Sequence, residues 1–239
     1  VMSPQLDING NPIGGLTGFM RSLQKEVRRA KPDRVAICWE GPGGSQKRRE
    51  KNKNYKLGRK APRLNREYTF ATPEEERENK YSQLVRLTEY LDNLPILQLS
   101  IENVEADDII AWLCHCNEYS DWQKLIISND KDFIQLCDDK TVLVRPGKNE
   151  EVLNKNNVLE QYNIHPRNFA WARAITGDKS DNLEGVKGLG LATVAKRFSF
   201  LSENQDYTLK DIMTHAKNNN SKIKAYQNVL DSEEIIASN

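Results

Sequence analysis

Hydrophobic positions in the first 100 residues follow the spacing of helices and strands. Apolar residues at positions 16, 19, 20, 23 and 27 predict an amphipathic helix over residues 14–31. The apolar run at residues 35–39 predicts a fully buried strand, which favours a parallel sheet. Thr72, Pro73 and Glu75 are typical of a helix start with a capping box, so we predict a helix from there to about residue 93. Its predicted buried residues are Tyr81, Leu84, Val85, Leu91 and Leu94.

Three further strand–helix alternations follow. Strands are predicted at residues 95–99, 125–128 and 142–144, with a helix over residues 105–116 and a short helix around residues 133–136. Alternation of this kind indicates an α/β fold with a mainly parallel central sheet and helices on both faces. Beyond residue 154 the pattern becomes helical. We therefore predict an α/β core over residues 1–153 and a helical part over residues 154–239.

The charge of the chain is unevenly distributed. Its 239 residues include 35 basic and 34 acidic side chains, a net charge of +1, which excludes a uniformly basic nucleic-acid binder. Residues 41–66, however, contain ten basic residues and one acidic residue, a net charge of +9. Residues 101–139 contain ten acidic and two basic residues, a net charge of −8. The basic segment is either a disordered loop or a surface for polyanions, and the acidic segment requires solvation or cations.

Membrane and secreted classes are not indicated. No apolar run reaches the roughly 18 residues of a membrane span, and the first residues lack the pattern of a signal peptide. Four cysteines without regular spacing indicate reduced thiols and a cytoplasmic protein.

Three acidic motifs occupy the positions that matter most for chemistry. They lie at residues 105–108, at the start of a predicted helix, at residues 130–132, directly after a predicted strand, and at residues 178–181. Helix capping explains any one of them. Together they can meet at one cleft, where carboxylate oxygens suit Mg²⁺ or Mn²⁺. Paired divalent ions are a standard device of phosphodiester chemistry. Residues 114–116, Cys-His-Cys, point in different directions on a helix and are interpreted as packing residues rather than a zinc site.

A glycine-rich turn at residues 185–190 precedes a predicted helix near Leu191. Closely spaced glycines let backbone N–H groups approach a phosphate, although such a turn alone is a weak signal. Its position four residues after Asp181 strengthens the phosphate interpretation.

In these motifs the chain resembles the 5′-nuclease superfamily, which comprises flap endonucleases, the 5′-exonuclease domain of bacterial DNA polymerase I and phage 5′-nucleases, with the phage branch the most similar. The resemblance covers residues 14–200 in family order. It rests on Trp39-Glu40-Gly41, Tyr55-Lys56-Leu57-Gly58-Arg59, Glu105-Ala106-Asp107-Asp108-Ile109-Ile110-Ala111, Ser128-Asn129-Asp130-Lys131-Asp132-Phe133, and Thr176-Gly177-Asp178-Lys179-Ser180-Asp181-Asn182 with the glycine turn.

The resemblance implies two Mg²⁺ or Mn²⁺ ions held by two sets of carboxylates. It implies a basic arch over residues 41–71 for a single-stranded 5′ end, and a helix–hairpin–helix element at the glycine turn that grips duplex phosphates with a K⁺ ion. The resemblance implies that the first metal is held by Glu105, Asp107, Asp108 and Asp130 and the second by Asp132, Asp178 and Asp181, with Glu40 as a further ligand. Lys56 and Arg59 would act on the scissile phosphate. The residues that would bind nucleic acid are Arg48, Arg49, Tyr55, Lys56, Arg59, Lys60, Gly185, Lys187, Gly188 and Gly190.

Two departures from the family pattern bear on activity. Glu40 stands where the family has Asp, which moves the carboxylate by about one methylene. The family also begins with a buried strand that ends in an Asp ligand, whereas residues 7–10 read as a turn. We therefore expect the sequence to lack about the first twenty residues, which would include a central strand and one metal ligand.

The function implied is a structure-specific, divalent-metal-dependent 5′-nuclease. Its substrates would be branched DNA or RNA–DNA with a single-stranded 5′ end, and its products a 5′-phosphate and a 3′-hydroxyl. We expect the protein to be a monomer in the cytoplasm, or in the host cytoplasm if it is phage-encoded. Replication proteins are its candidate partners. Two alternatives remain: a nucleic-acid-binding pseudo-nuclease that lacks the first ligand, and a PIN-like ribonuclease, against which the basic segment and the glycine turn argue.

Overall fold

A computed structural model describes residues 5–57, 68–147, 149–219 and 223–239. These residues form two compact units, one of residues 5–40 and 68–101, the other of residues 41–57 and 102–239 with the stated gaps. In chain order the elements are α1 (Gly14–Ala30), β1 (Val35–Trp39), α2 (Gln46–Lys51), α3 (Pro73–Asp92), β2 (Ile96–Ser100), α4 (Ala106–His115), β3 (Lys124–Ile127), β4 (Thr141–Arg145), β5 (Glu151–Leu153), α5 (Lys155–Tyr162), α6 (Phe169–Thr176), α7 (Leu191–Arg197), α8 (Leu209–Asn219), α9 (Lys224–Leu230) and α10 (Glu233–Ser238).

The first unit packs α1 and α3 with a parallel pair of strands. β1 pairs with β2 from Val35 opposite Ile96 to Trp39 opposite Ser100. As predicted, α3 begins at Pro73 with Thr72 as its N-cap, because the Thr72 side chain accepts a hydrogen bond from the Glu75 N–H at 3.2 Å. The reciprocal bond of a capping box is shifted by one residue, since the Glu75 carboxylate accepts from the Ala71 N–H at 3.1 Å. The core contains Leu16, Leu87 and Leu91, with Phe19, Met20, Leu23, Ile37, Trp39 and Ile96 packed against it.

Two burial predictions for this unit are wrong. Of the five residues expected to be buried on α3, Leu91 is buried, but Tyr81, Leu84, Val85 and Leu94 are 38–70% exposed. The buried face instead follows the four-residue spacing of Gln83, Leu87 and Leu91. α3 has apolar residues on several sides, and the contact with α1 selects the side that carries Leu87. β1 is not fully buried either, since it has a single partner strand within the described residues.

The second unit combines a three-stranded sheet with the remaining helices. β3 and β4 are parallel, and β5 adds an antiparallel strand to β4 that the sequence analysis missed. The α/β class and the predicted parallel pairing are confirmed, with the strands distributed over two small sheets within the described residues. One hydrophobic cluster runs from Ile126 on β3 through Phe169 on α6 to Ile236 on α10. The predicted domain boundary at residues 153/154 lies within this unit, and that division stays a prediction.

Smaller expectations also have an outcome. Residues 7–10 form the predicted turn, in which the Asp7 carboxylate accepts hydrogen bonds from the N–H groups of Asn9 and Asn11 at 2.9 and 2.8 Å. The four cysteines, all among the described residues, are not joined by disulfide bonds, and Cys114 packs against the hydrophobic cluster as expected. No helix in the described part of the chain is both long enough and apolar enough to cross a membrane.

Candidate active site

Three aspartates predicted for the second metal converge in the second unit. Asp132 lies on the 3₁₀ helix Lys131–Leu136 after β3, while Asp178 and Asp181 lie in the loop after α6. Each offers a carboxylate oxygen that lies within 4.8 Å of the others. Within the described residues, this is the one set of three or more acidic, histidine or cysteine side chains that meets this distance. We call it the aspartate cluster.

The loop that carries two of these aspartates is closed on itself. Asp178 and Leu183 exchange backbone hydrogen bonds of 2.9 and 2.8 Å. Gly185 then passes so close to the end of α6 that a Cβ on it would lie 2.0 Å from the Thr176 carbonyl oxygen. Gly177 has a φ of +70°, the region that favours glycine. The two glycines therefore hold the loop in the form that brings Asp178 and Asp181 together.

Arg173 on α6 binds two members of the aspartate cluster. Its Nε donates to Asp132 Oδ1 at 3.1 Å, and its Nη2 donates to Asp178 Oδ2. The burial of Asp132 raises the pKa of its carboxyl, an effect that the guanidinium opposes. Burial also acts on Asp178, but hydrogen bonds from Ser180 and the charge of Arg173 hold the pKa of that carboxyl below its usual value. Arg173 was not predicted as a site residue, because a lone basic residue on a helix is usually solvated and carries no sequence signal of its own.

Glu105 and Asp108, which are predicted to hold the first metal, form ion pairs with basic side chains. The Glu105 side chain is 1% exposed and accepts hydrogen bonds from Arg48, from Lys56 Nζ at 3.2 Å and from the Tyr55 hydroxyl at 3.3 Å. Arg48 also donates to Asp108 Oδ1 at 2.9 Å. We call Arg48, Tyr55 and Lys56 with Glu105 the basic–acidic contact.

The other two residues of this predicted set are Asp107 and Asp130. Burial raises the pKa of Asp107 to about 6, and the charge of Asp130 adds to this effect. Asp130 also caps the 3₁₀ helix, because its Oδ1 accepts from the Asp132 N–H at 2.9 Å. The capping interpretation and the metal interpretation of Asp130 thus apply to the same side chain.

The end of the described basic segment is attached to the loop of the aspartate cluster. The Lys56 N–H donates to the Asp181 carbonyl oxygen at 3.0 Å. The Asn182 side chain donates to the carbonyl oxygens of Asn54 and Leu57 at 3.2 and 2.7 Å. Lys56 and Asn182 both have positive φ values, 54° and 57°, which lets the two segments meet. The Lys56 backbone therefore lies beside the loop that carries Asp181, while its ammonium group, which is predicted to act on phosphate, is bonded to Glu105 in the same unit.

The remaining predicted residues fall into four groups. Tyr55 is 6% exposed beneath Lys56, so the nucleic-acid contact predicted for it would require it to become accessible, while Arg49 is exposed on α2. Glu40 follows β1 in the first unit, and its role as a ligand stays a prediction. Arg59 and Lys60 lie outside the described residues. In the glycine turn Lys187, Gly188 and Gly190 are exposed, Gly185 is half-buried, and α7 begins at Leu191 as predicted.

The chemistry of the aspartate cluster fits a divalent cation. Three carboxylates that lie within 4.8 Å of one another repel, and Arg173 offsets one of the three charges. Hard oxygen ligands of this kind suit Mg²⁺ or Mn²⁺, and the cluster contains no soft donor. The fold and the site together define an α/β protein with a candidate divalent-cation site next to a basic segment.

The family is established by comparison with known proteins. Residues 2–163 match the family described as 5′-3′ exonuclease, N-terminal resolvase-like domain. The chain belongs to this family, and its resemblance to the 5′-nuclease superfamily is confirmed.

Relatives and solved structures agree with this assignment. The chain is 32% identical to a 5′-3′ exonuclease of Buchnera aphidicola over 197 residues, which cover 79% of this chain and 62% of that protein. It is 33% identical to the thermostable DNA polymerase I of Thermus aquaticus over 187 residues, 78% of this chain and 20% of the polymerase. The chain thus spans less than two thirds of these relatives. The T5 5′-exonuclease with bound zinc has a TM-score of 0.70 at 21% identity, with 96% of this chain and 81% of that chain covered, and shares the fold.

Proposed function

We propose that this protein is a divalent-metal-dependent 5′-nuclease that hydrolyses phosphodiesters of branched DNA or RNA–DNA with a single-stranded 5′ end. The observation that carries the proposal is the convergence of Asp132, Asp178 and Asp181 within 4.8 Å in a chain of the 5′-3′ exonuclease family. The relatives' names supply the reaction class, and the aspartate cluster supplies groups able to perform it.

The acidic residues are assigned to the metal ions and the basic residue Lys56 to the phosphate. Asp132, Asp178 and Asp181 would hold the second divalent ion, and Glu105, Asp107, Asp108 and Asp130 are assigned to the first. Mg²⁺ or Mn²⁺ would supply an activated water and stabilise the leaving oxygen. Lys56 would orient the scissile phosphate, because its backbone is bonded to Asp181 and its ammonium group lies at the basic–acidic contact.

Nucleic acid would be held at two surfaces. The basic segment, with Arg48, Arg49, Arg59 and Lys60, would attract the single-stranded 5′ end through its positive charge. The glycine turn would form a helix–hairpin–helix element, since Gly188 and Gly190 leave the space around their Cα atoms open for a phosphate. We assign the K⁺ ion to the same turn.

Cleavage of a 5′-flap DNA labelled at its 5′ end tests the proposal. We expect cutting near the flap junction with Mg²⁺ and none in EDTA. The double variant Asp178→Asn, Asp181→Asn should bind the flap with unchanged affinity in Ca²⁺ and lose cleavage at least a hundredfold, because it removes two anionic ligands. Arg167→Gln, which changes an exposed pair with Asp206, is the control and should cut normally.

The outcomes separate the candidate functions. Full activity of the double variant would refute the assignment of the aspartate cluster. Tight, salt-dependent binding of the flap by the unaltered protein without any cutting would establish a nucleic-acid-binding pseudo-nuclease instead. Cutting of single-stranded RNA with no preference for a flap would favour a PIN-like ribonuclease.

A further inference from the structure

Arg173 is a charged residue for which the proposed reaction has no assigned use. It contacts the aspartate cluster from α6, where its side chain is 21% exposed. One edge of the guanidinium, formed by Nε and Nη2, binds Asp132 on the 3₁₀ helix and Asp178 in the loop. Its Nη1 also donates to the Gly177 carbonyl oxygen at 3.3 Å. A single planar group thus joins the two segments that supply the aspartates.

The charges in this arrangement are informative. Three ionised aspartates contribute −3, and the guanidinium, which stays protonated at any ordinary pH, reduces this to −2. One divalent cation then makes the cluster neutral. Without the arginine, a single bound ion would leave one negative charge next to a polyanionic substrate.

We propose, on the basis of the function proposed above, that Arg173 is a positioning residue that sets the cation affinity of the aspartate cluster: its charge weakens and limits binding to one readily exchanged divalent ion. The guanidinium also keeps Asp132 and Asp178 in place when no ion is bound, because it binds an oxygen of each.

The size of the effect follows from Coulomb's law. A unit positive charge about 5 Å from a divalent ion weakens its binding roughly tenfold even at the dielectric constant of water, and more in a partly buried site. The fork of hydrogen bonds acts in the opposite direction, since it holds the ligands in place. We expect the charge of Arg173 to outweigh its hydrogen bonds in setting the affinity for the ion. Substitution by lysine, which keeps the charge, and by glutamine, which removes it, separates the two effects.

Binding of Mn²⁺, followed by the electron paramagnetic resonance signal of the free ion, tests this inference without any activity assay. Arg173→Gln should tighten the dissociation constant at least about tenfold, whereas Arg173→Lys, which keeps the charge and loses the fork, should change it less than about threefold. Arg167→Gln should leave it unchanged. In EDTA, Arg173→Gln should lower the melting temperature, and Mn²⁺ should restore it.

A charge-matched pair covers the case in which Arg173→Gln does not fold. Asp132→Asn has a cluster charge of −1, and the double variant Asp132→Asn, Arg173→Gln returns it to −2. The double variant should bind Mn²⁺ at least about tenfold more tightly than Asp132→Asn alone.

Two failures can be told apart. Equal or weaker Mn²⁺ binding by Arg173→Gln, or by the double variant relative to Asp132→Asn, would overturn the role of Arg173 and leave the nuclease proposal in place. If Asp178→Asn, Asp181→Asn binds the same number of Mn²⁺ ions with the same affinity as the unaltered protein, the cation site and the inference that depends on it are overturned.

Discussion

Glu105 offers the sharpest test of how the basic segment is held. Its carboxylate is buried and accepts hydrogen bonds from Arg48, Tyr55 and Lys56, so that one side chain of the acidic motif fixes three of the basic segment. The substitution Glu105→Gln preserves the shape of the side chain and removes its charge. It leaves two cations facing a neutral amide that can satisfy only part of their hydrogen bonding.

The cost can be worked out from the exposure of the partners. Removal of one partner of a buried ion pair costs about 3–5 kcal/mol. Lys56 is 16% exposed and loses its ion pair with Glu105, whereas Arg48 is 41% exposed and retains its pair with Asp108. Because water screens part of the Arg48 interaction, we expect the lower end of the range, about 3 kcal/mol.

Urea denaturation in EDTA measures this loss. Glu102→Gln is a matched control, since Glu102 lies three residues earlier on the same segment and is exposed; we expect it to change stability by less than about 0.5 kcal/mol. Trypsin should also cut residues 46–57 of Glu105→Gln faster than in the unaltered protein. A loss below about 1 kcal/mol together with unchanged trypsin cleavage would refute the view that Glu105 anchors the basic segment.

Two further predictions concern the acidic helix start and the glycine pair. The raised pKa of Asp107, about 6, means that its protonated form stabilises the fold and that this stability is lost as the pH rises from about 4 to 6. In EDTA, Asp107→Asn should therefore gain about 2 kcal/mol of unfolding free energy relative to the unaltered protein between pH 4 and pH 7, and a difference that stays constant over this range would contradict the burial argument. Gly185→Ala should destabilise by at least about 2 kcal/mol, because its Cβ would overlap the Thr176 carbonyl. Gly18→Ala on α1, where a Cβ meets nothing within 4 Å, should be neutral or stabilising, and equal melting temperatures of the two variants would be the contrary result.

The sequence allowed the order of elements and the acidic motifs to be predicted, because both depend on local pattern. The strand before Asp130, the helix after Glu105 and the N-cap at Thr72 each follow from neighbouring residues. Because these aspartates lie at a strand end and in a loop, they were expected to meet at one cleft.

Features that depend on tertiary packing were not predictable in the same way. The buried face of α3 is chosen by its contact with α1, so Leu87 is buried while Tyr81 is exposed. Arg173 lacked a sequence signal because a lone basic residue on a helix is usually solvated. Glu105 was expected to bind metal, yet its contacts with Arg48 and Lys56 show that the opposite charges of the chain also bind each other.

The central claim is that Asp132, Asp178 and Asp181 form a divalent-cation site, and anomalous diffraction from crystals soaked in Mn²⁺ tests it most directly. The account predicts a manganese peak at bonding distance from a carboxylate oxygen of each of the three aspartates, absent from crystals of Asp178→Asn, Asp181→Asn. Crystals that show manganese elsewhere and none between these aspartates would contradict it.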